Sequence, residues 1–345
     1  MKAVVKKGDG KNNWALMDMP RNDPGSCEVE IQVKAAGICG SELHYYHDNH
    51  FYTPGTIVGH EFCGVISRVG SEVLDWKVGD RVVAELNKAA CGKCEFCRKG
   101  MPNFCPYGKA VGYGEHGGWA EYYISPENML IAIPDSVSFD EASMTEPTNV
   151  ACQALIVKKT VKLGDTVLVQ GCGTIGLISA MVAKAIGASH VIVTGAQIDE
   201  PVRLQIARSI NAIDAAVNIE KEDLSVVLQE MTGRSDADVI VEASGSVMAI
   251  QKMTQYLKKT GTIVVLGETA VEEIPFRWNE AVFKACTMVF SFGEVYEAWE
   301  IAMKLMASGK LELEKIITHR LPLEEFRKGF ELLDEKKALK VILNP

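Results

Sequence analysis

Thr166-Val167-Leu168-Val169-Gln170-Gly171-Cys172-Gly173-Thr174-Ile175-Gly176 is the stretch on which the reading of this chain turns. Its first five residues carry no charge and read as a buried strand; glycines follow at 171, 173 and 176. The result is G-x-G-x-x-G set between a strand and a helix. In such a turn the first glycine permits the tight bend and the second lets backbone approach a pyrophosphate. The third allows close packing of helix on strand. A helix opening at Thr174 and Ile175 then points N–H groups and a partial positive charge at the phosphates. The motif predicts a dinucleotide site centred on Gly171, Gly173, Thr174, Ile175 and Gly176.

The surrounding pattern supports that reading. Apolar strands at 167–169, 191–193, 239–241 and 263–266 alternate with helical stretches such as 177–186 and 248–257. Uncharged strands separated by helices predict a parallel sheet covered on both faces, a doubly wound α/β arrangement. Leu266 and Gly267, which close the strand at 263–266, are expected beside the same ligand. The second strand departs from the usual pattern. An acid normally ends it and holds the ribose hydroxyls of NAD, but here Val191-Ile192-Val193-Thr194 ends in Gly195. No Arg or Lys follows until Arg203, and Asp199 and Glu200 would repel a 2′-phosphate. The expected cofactor is NAD, with NADP left open.

The first 150 residues are different in kind. From 28 to 35, Val29, Ile31, Val33 and Ala35 alternate with Glu28, Glu30, Gln32 and Lys34, which predicts a strand with one buried and one polar face. Glycine and proline are dense in this half, as suits a strand-rich domain whose loops carry chemistry. Amphipathic helices are predicted at 295–307 and 324–334, and a short strand at 341–343. The change of pattern near residue 150 is expected to fall in a helix rather than a flexible linker.

The chain has 345 residues, is 47% hydrophobic and carries a formal net charge of -9. That length suggests two domains, and the acidic balance argues against a nucleic-acid partner. Met1-Lys2-Ala3-Val4-Val5 runs into a polar stretch, too short an apolar start for a secretory segment. No apolar run is long enough to span a bilayer. A cytoplasmic protein without a membrane partner is expected.

Four of the ten cysteines, Cys91, Cys94, Cys97 and Cys105, lie within fifteen residues. Four soft ligands at this spacing can close a tetrahedral zinc shell with no open position, which marks a structural site. Lys93, Arg98 and Lys99 lie nearby and are expected to offset the thiolate charge. A second set is dispersed: Cys39, His60, Glu61 and Glu146. Read singly, these are a small core residue, a loop histidine and ordinary acids.

Taken together, these residues resemble the zinc-containing medium-chain dehydrogenases. The similarity rests on Gly59-His60-Glu61-x-x-Gly64-x-x-x-x-x-Gly70, the four-cysteine lobe and the dinucleotide turn, in that order, and spans nearly the whole chain. Cys39-Gly40-Ser41-Glu42-Leu43-His44 and Glu146-Pro147 are most similar to the sorbitol (polyol) and threonine dehydrogenase branches. The resemblance implies a GroES-like catalytic domain over 1–150, completed by 290–345, and a Rossmann domain over 151–289. It implies two zinc ions per chain, one catalytic and one structural, and a homotetramer or homodimer. Cys39 and His60 would be constant ligands of the catalytic zinc, Glu61 would complete the shell, and Glu146 would bind either the metal or its water.

On this reading zinc acidifies a secondary alcohol, which passes hydride to the nicotinamide. Ser41 would accept the proton and relay it to His44, which without the resemblance would read as a solvated loop histidine, since His47 and His50 follow. The polar, aromatic loop from Tyr45 to Tyr52 suits a polyol, sugar or sugar acid; an amino alcohol such as threonine is the alternative substrate. Trp119 and Glu121 are further candidates for the pocket, although Trp119 suits a buried core position equally well. The segment 276–284 is similar to the threonine branch but is expected at a subunit contact rather than in the pocket. A non-enzyme reading, a zinc ribbon joined to a dinucleotide sensor, has no use for Ser41 or for an open metal position.

Overall fold

The computed structural model describes residues 1–48 and 52–345. The chain divides into two compact units. One comprises Met1–Glu146, Gly293–Ala307 and Ile317–Pro345, and the other Pro147–Phe292 and Ser308–Ile316. The division falls inside the helix Thr145–Cys152.

In the second unit six parallel strands lie in the order Ala215–Asn218, His190–Gly195, Thr166–Gln170, Ala237–Glu242, Leu257–Val265, Thr287–Phe290. Thr166–Gln170 is wholly buried and lies where the strand order reverses, the point at which such sheets hold ligands beyond their carboxyl ends. Leu168, Ile192, Ile240 and Ile263 form the core under the sheet. The α/β expectation therefore holds, with one local correction. The helix predicted over 248–257 stops at Lys252, because Leu257 pairs with Ala237 and begins a strand. Sheet pairing there outweighs the helical spacing of apolar residues.

The first unit is built on a seven-stranded sheet. Glu28–Gly37 sits between Lys340–Asn344 and Phe62–Val69, antiparallel to both, and also pairs with Tyr122–Pro126. Its apolar side is buried as the alternation predicts, but Glu30 on the polar side is buried too, with 0% exposure. Arg21, Arg68 and Ser67 all donate to its carboxylate, at 2.6–2.8 Å. Burial pushes the Glu30 carboxyl upward, but those donors outweigh it and hold the group well below the usual carboxylate range. A polar residue in an alternating strand marks a face, not its exposure.

The last strand brings a second charge inside. Lys340 and Glu61 are each 1% exposed and form an ion pair, and Lys340 Nζ also donates to the Ile38 carbonyl at 3.1 Å. Gly37 leaves room for this pair, since a Cβ there would overlap Glu61 Oε2 and crowd the Lys340 side chain. The helix Phe326–Asp334 closes the unit through aromatic packing: Phe330 stacks on Tyr46 at 4.3 Å and meets Trp14 edge-on at 5.2 Å. Among the described residues no helix is long and apolar enough to cross a membrane.

Removing one member of a buried ion pair leaves an uncompensated charge, which typically costs about 3–5 kcal/mol. Lys340→Met should lower stability by about that amount in urea unfolding, and adding Glu61→Gln should restore much of it. If the double variant is no more stable than the single one, the pair is not the reason Lys340 is buried.

Candidate active site and dinucleotide turn

The four-cysteine lobe folds around the short helix Glu95–Arg98, with Cys94 as its N-cap. The sulfurs of Cys91, Cys94, Cys97 and Cys105 all lie within 4.8 Å of one another. Backbone N–H groups point at them: Cys91 donates to Cys105 at 3.4 Å, Cys94 to Cys91 at 3.4 Å and Cys97 to Cys94 at 3.5 Å. These donors offset thiolate charge. The Cys91 N–H lowers the Cys105 thiol to about 6, whereas Lys99 is engaged by Glu95 at 2.5 Å. Burial pushes Cys97 up to about 12. Four soft donors on a preformed loop fit a structural zinc.

The dispersed ligand set converges in the first unit. Cys39 precedes the helix Gly40–Tyr46, which follows directly on the strand Glu28–Gly37. His60 and Glu61 precede the strand Phe62–Val69, and Glu146 stands in the first turn of Thr145–Cys152. Gly59 allows His60 to enter: its φ is +93°, and a Cβ there would overlap the Trp119 ring. Two candidate ligand groups share His60, namely Cys39–Glu42–His60 and His60–Glu61–Glu146, each with donor atoms within 4.8 Å of one another. A thiol, an imidazole and carboxylates at this separation suit a zinc shell.

Glu42 escaped the sequence reading. It is fully buried, lies 2.5 Å from His60 Nδ1 and accepts the Cys39 N–H at 2.7 Å. A carboxylate behind a metal-binding histidine fixes its tautomer and orientation. The signal was present in the chain, because an acid three residues after Cys39 is the capping-box position. Burial opposes a charged His60, but Glu42 and Cys39 outweigh it and raise the imidazole pKa well above its usual value.

Two more acids were missed, Glu85 and Glu294, each 6% exposed. Burial, then Glu294, pushes Glu146 well above the carboxylate range. Burial, then Glu294, likewise brings Glu85 to about 7. Nothing in their local sequence separates them from surface acids.

Ser41 accepts a hydrogen bond from the Tyr113 hydroxyl at 3.0 Å. His44 lies one helical turn from Ser41, on the same face. Much of the loop read as a sugar site is committed elsewhere. Tyr45 and Tyr46 are buried, His47 contacts Asp334 at 2.8 Å, and Asp48 pairs with Lys6 at 2.5 Å. Asn49, His50 and Phe51 lie outside the described residues. Trp119 is core, its Nε1 donating to the Gly37 carbonyl at 3.0 Å, and Glu121 accepts the Lys2 N–H. A cavity of about 310 Å³ instead opens beside Tyr52, Asn87, Asn103 and Tyr113, with the exposed Lys109 also in its lining.

In the second unit the glycine turn has the expected form. Gly171 has a φ of +108°, and a Cβ on Gly176 would overlap the Gly171 carbonyl oxygen. A Cβ on Gly173 would meet nothing within 4 Å, which leaves open space for a ligand. Gly173 caps the helix Thr174–Ala185 without a side chain, and no acid stands in its first turn. The cradle fits a pyrophosphate. Leu266 and Gly267 follow Leu257–Val265 and donate their N–H groups to the Glu242 carbonyl at 2.8 and 2.9 Å. Gly195 ends the strand His190–Gly195, and Arg203 begins the helix Arg203–Ser209.

Residues 25–135 match the alcohol dehydrogenase GroES-like domain, and residues 174–308 match the zinc-binding dehydrogenase domain. A sorbitol dehydrogenase of Halalkalibacterium halodurans is 35% identical over 346 residues, covering 100% of this chain and 99% of the relative. An L-threonine 3-dehydrogenase of Anaeromyxobacter is 34% identical over 349 residues, with coverage of 100% and 99%. Among solved structures, an Escherichia coli alcohol dehydrogenase complexed with NADH superposes with a TM-score of 0.88 at 27% identity, covering 100% of this chain and 99% of the other. A Sinorhizobium meliloti protein bound to NADP gives the same TM-score, identity and coverage. With both domains matched and relatives aligned end to end, the chain belongs to the zinc-containing medium-chain dehydrogenases and is a zinc-dependent, NAD(P)-linked alcohol dehydrogenase.

Proposed function

We propose that the alcohol is a neutral polyol or sugar, oxidised at a secondary hydroxyl. The observation that carries this is the cavity lined by Tyr52, Asn87, Asn103 and Tyr113: the phenol oxygens, whose protons go to Asp9 and Ser41, can accept hydrogen bonds, and amide side chains can both donate and accept them. The buried acids Glu85, Glu146 and Glu294 argue against a substrate that brings a carboxylate, because each added negative charge would raise their cost further. That disfavours threonine and sugar acids, although the threonine dehydrogenase relative keeps the amino alcohol as the second reading.

Cys39 and His60 would hold the catalytic zinc, together with Glu146 or Glu61. When bound, the metal supplies Lewis acidity to the alcohol oxygen, and the nicotinamide accepts the hydride. Glu42 keeps His60 oriented. Ser41, already an acceptor for the Tyr113 hydroxyl, takes the proton, and His44 on the same helix face passes it to water. We further infer that a second copy of the chain covers the edge strand Thr287–Phe290 and its exposed neighbours Trp278, Val282 and Phe283, because apolar groups so placed mark interaction sites. Light scattering should then give a dimer or larger species that Trp278→Glu weakens, and a wild-type monomer would rule this out.

Turnover should be strongest with a polyol in a panel that includes sugar acids, a phosphorylated polyol and L-threonine. Exclusive turnover of the phosphate ester would refute the neutral-polyol reading and point to Lys109. Cys39→Ser should abolish turnover with the fold retained; normal activity in a metal-analysed sample would remove Cys39 from the site.

Glu85 makes stability depend on pH. Its folded value of about 7 lies above its ordinary value of 4.5. Between the two, the folded chain keeps a proton that the unfolded chain has released, so stability falls as pH rises across that window. Glu85→Gln should therefore be more stable than the parent above about pH 7, by up to about 3 kcal/mol, and similar to it in acid. Identical pH slopes in thermal melts would contradict this.

A further inference from the structure

We infer that Asp199 and Arg203 together read the ribose of the adenosine half of the cofactor and select NAD over NADP, in place of the acid that Gly195 lacks. This deepens the dinucleotide reading of the glycine turn and rests on it.

The ordinary place for the acid is closed. A Cβ on Gly195 would stand 2.7 Å from Cys172 Sγ and 3.0 Å from Leu204. Both neighbours are buried, Cys172 at 2% exposure and Leu204 at 0%. The chain instead carries the carboxylate a few residues on and folds it back. Asp199 ends the 3-10 turn Gln197–Asp199, and its Oδ2 accepts the Ala196 N–H at 3.0 Å. The Cys172 thiol, inside the glycine turn, also hydrogen-bonds to Asp199. The carboxylate of residue 199 therefore sits against both the end of the second strand and the phosphate cradle.

The turn is pinned, not loose. Gln197 N–H donates to Glu220 Oε1 at 2.9 Å, and Asn218 Nδ2 donates to Gln197 Oε1 at 3.0 Å and to Glu200 Oε2 at 2.9 Å. Arg208 takes up Glu200 and, with Asn218, holds it at about 2, so Glu200 serves the scaffold and not a ligand.

Arg203 completes the pair. Its NH1 lies 3.6 Å from Asp199 Oδ1, and each side chain is 16% exposed. Arg203 Nε is buried and has no hydrogen-bond partner among the described residues. The rest of the guanidinium reaches the surface beside the Asp199 carboxylate and offers further N–H donors. The pair thus presents a carboxylate acceptor and a guanidinium donor side by side. A ribose hydroxyl matches both, since it donates and accepts. A 2′-phosphate offers acceptors only; it could serve Arg203 but would confront the Asp199 carboxylate.

The test is a binding measurement on the zinc-replete full chain without substrate. NADH and NADPH are titrated by nicotinamide fluorescence, and 5′-AMP and 2′,5′-ADP compete for the same site. NADH should bind at least about tenfold tighter than NADPH, the scale of one charge-assisted hydrogen bond, and 5′-AMP should compete better than 2′,5′-ADP. Asp199→Asn should shrink the NADH/NADPH ratio by about tenfold, chiefly by tightening NADPH. Arg203→Gln, which does not touch the turn's own hydrogen bonds, should weaken NADH several-fold. Equal or tighter NADPH binding by the parent chain, or an unchanged ratio in a folded Asp199→Asn, would overturn the assignment while leaving the dinucleotide site intact. Binding of neither dinucleotide would overturn both.

Discussion

Two charges buried together, Glu61 and Lys340, join the start of this chain to its end. Neither could be buried alone, because an isolated ion inside a protein is far less stable than in water. Their pairing fixes the strand Lys340–Asn344 against Glu28–Gly37 and requires a glycine at position 37. Cys39 lies two residues beyond that glycine, and His60 immediately precedes Glu61. The candidate zinc ligands are therefore held by a frame that exists only when the C-terminal strand is in place. Glu61, anchored to Lys340, is also less free to complete a zinc shell than its position beside His60 suggests.

The two sites achieve order by different means. The dinucleotide turn is largely backbone: glycines set its path, and a helix terminus supplies the N–H groups. Such a site depends less on the surrounding side chains. The candidate active site depends on side chains brought from three separate segments, each set against a neighbour: Glu42 for His60, Tyr113 for Ser41, Lys340 for Glu61 and Glu294 for Glu146.

Burying so many acids in one unit is unfavourable for folding: burial raises the pKa values of Glu85, Glu146 and Glu294, and Glu294 adds to the rise at the other two. Strain of this kind is common where chemistry is done, since perturbed carboxyl groups can hold or release protons near neutral pH.

The local signals in the sequence were enough to determine the parallel sheet, the glycine turn and the four-cysteine lobe. Each rests on residues close together in the chain, where local pattern carries the geometry: uninterrupted apolar strands between helices, G-x-G-x-x-G, and cysteines three and eight apart. Cys39, His60, Glu61 and Glu146 could be grouped only through the family resemblance, because no local rule links positions a hundred residues apart. Tertiary structure alone decided the rest. It buried Glu30 under two arginines, took His47 and Asp48 out of the pocket, ended a predicted helix where Leu257 joined the sheet, and put Lys340 beside Glu61. In each case the deciding partner lies far away in sequence, and the free energy of burying a charge or pairing a strand depends on that partner rather than on the neighbours in the chain.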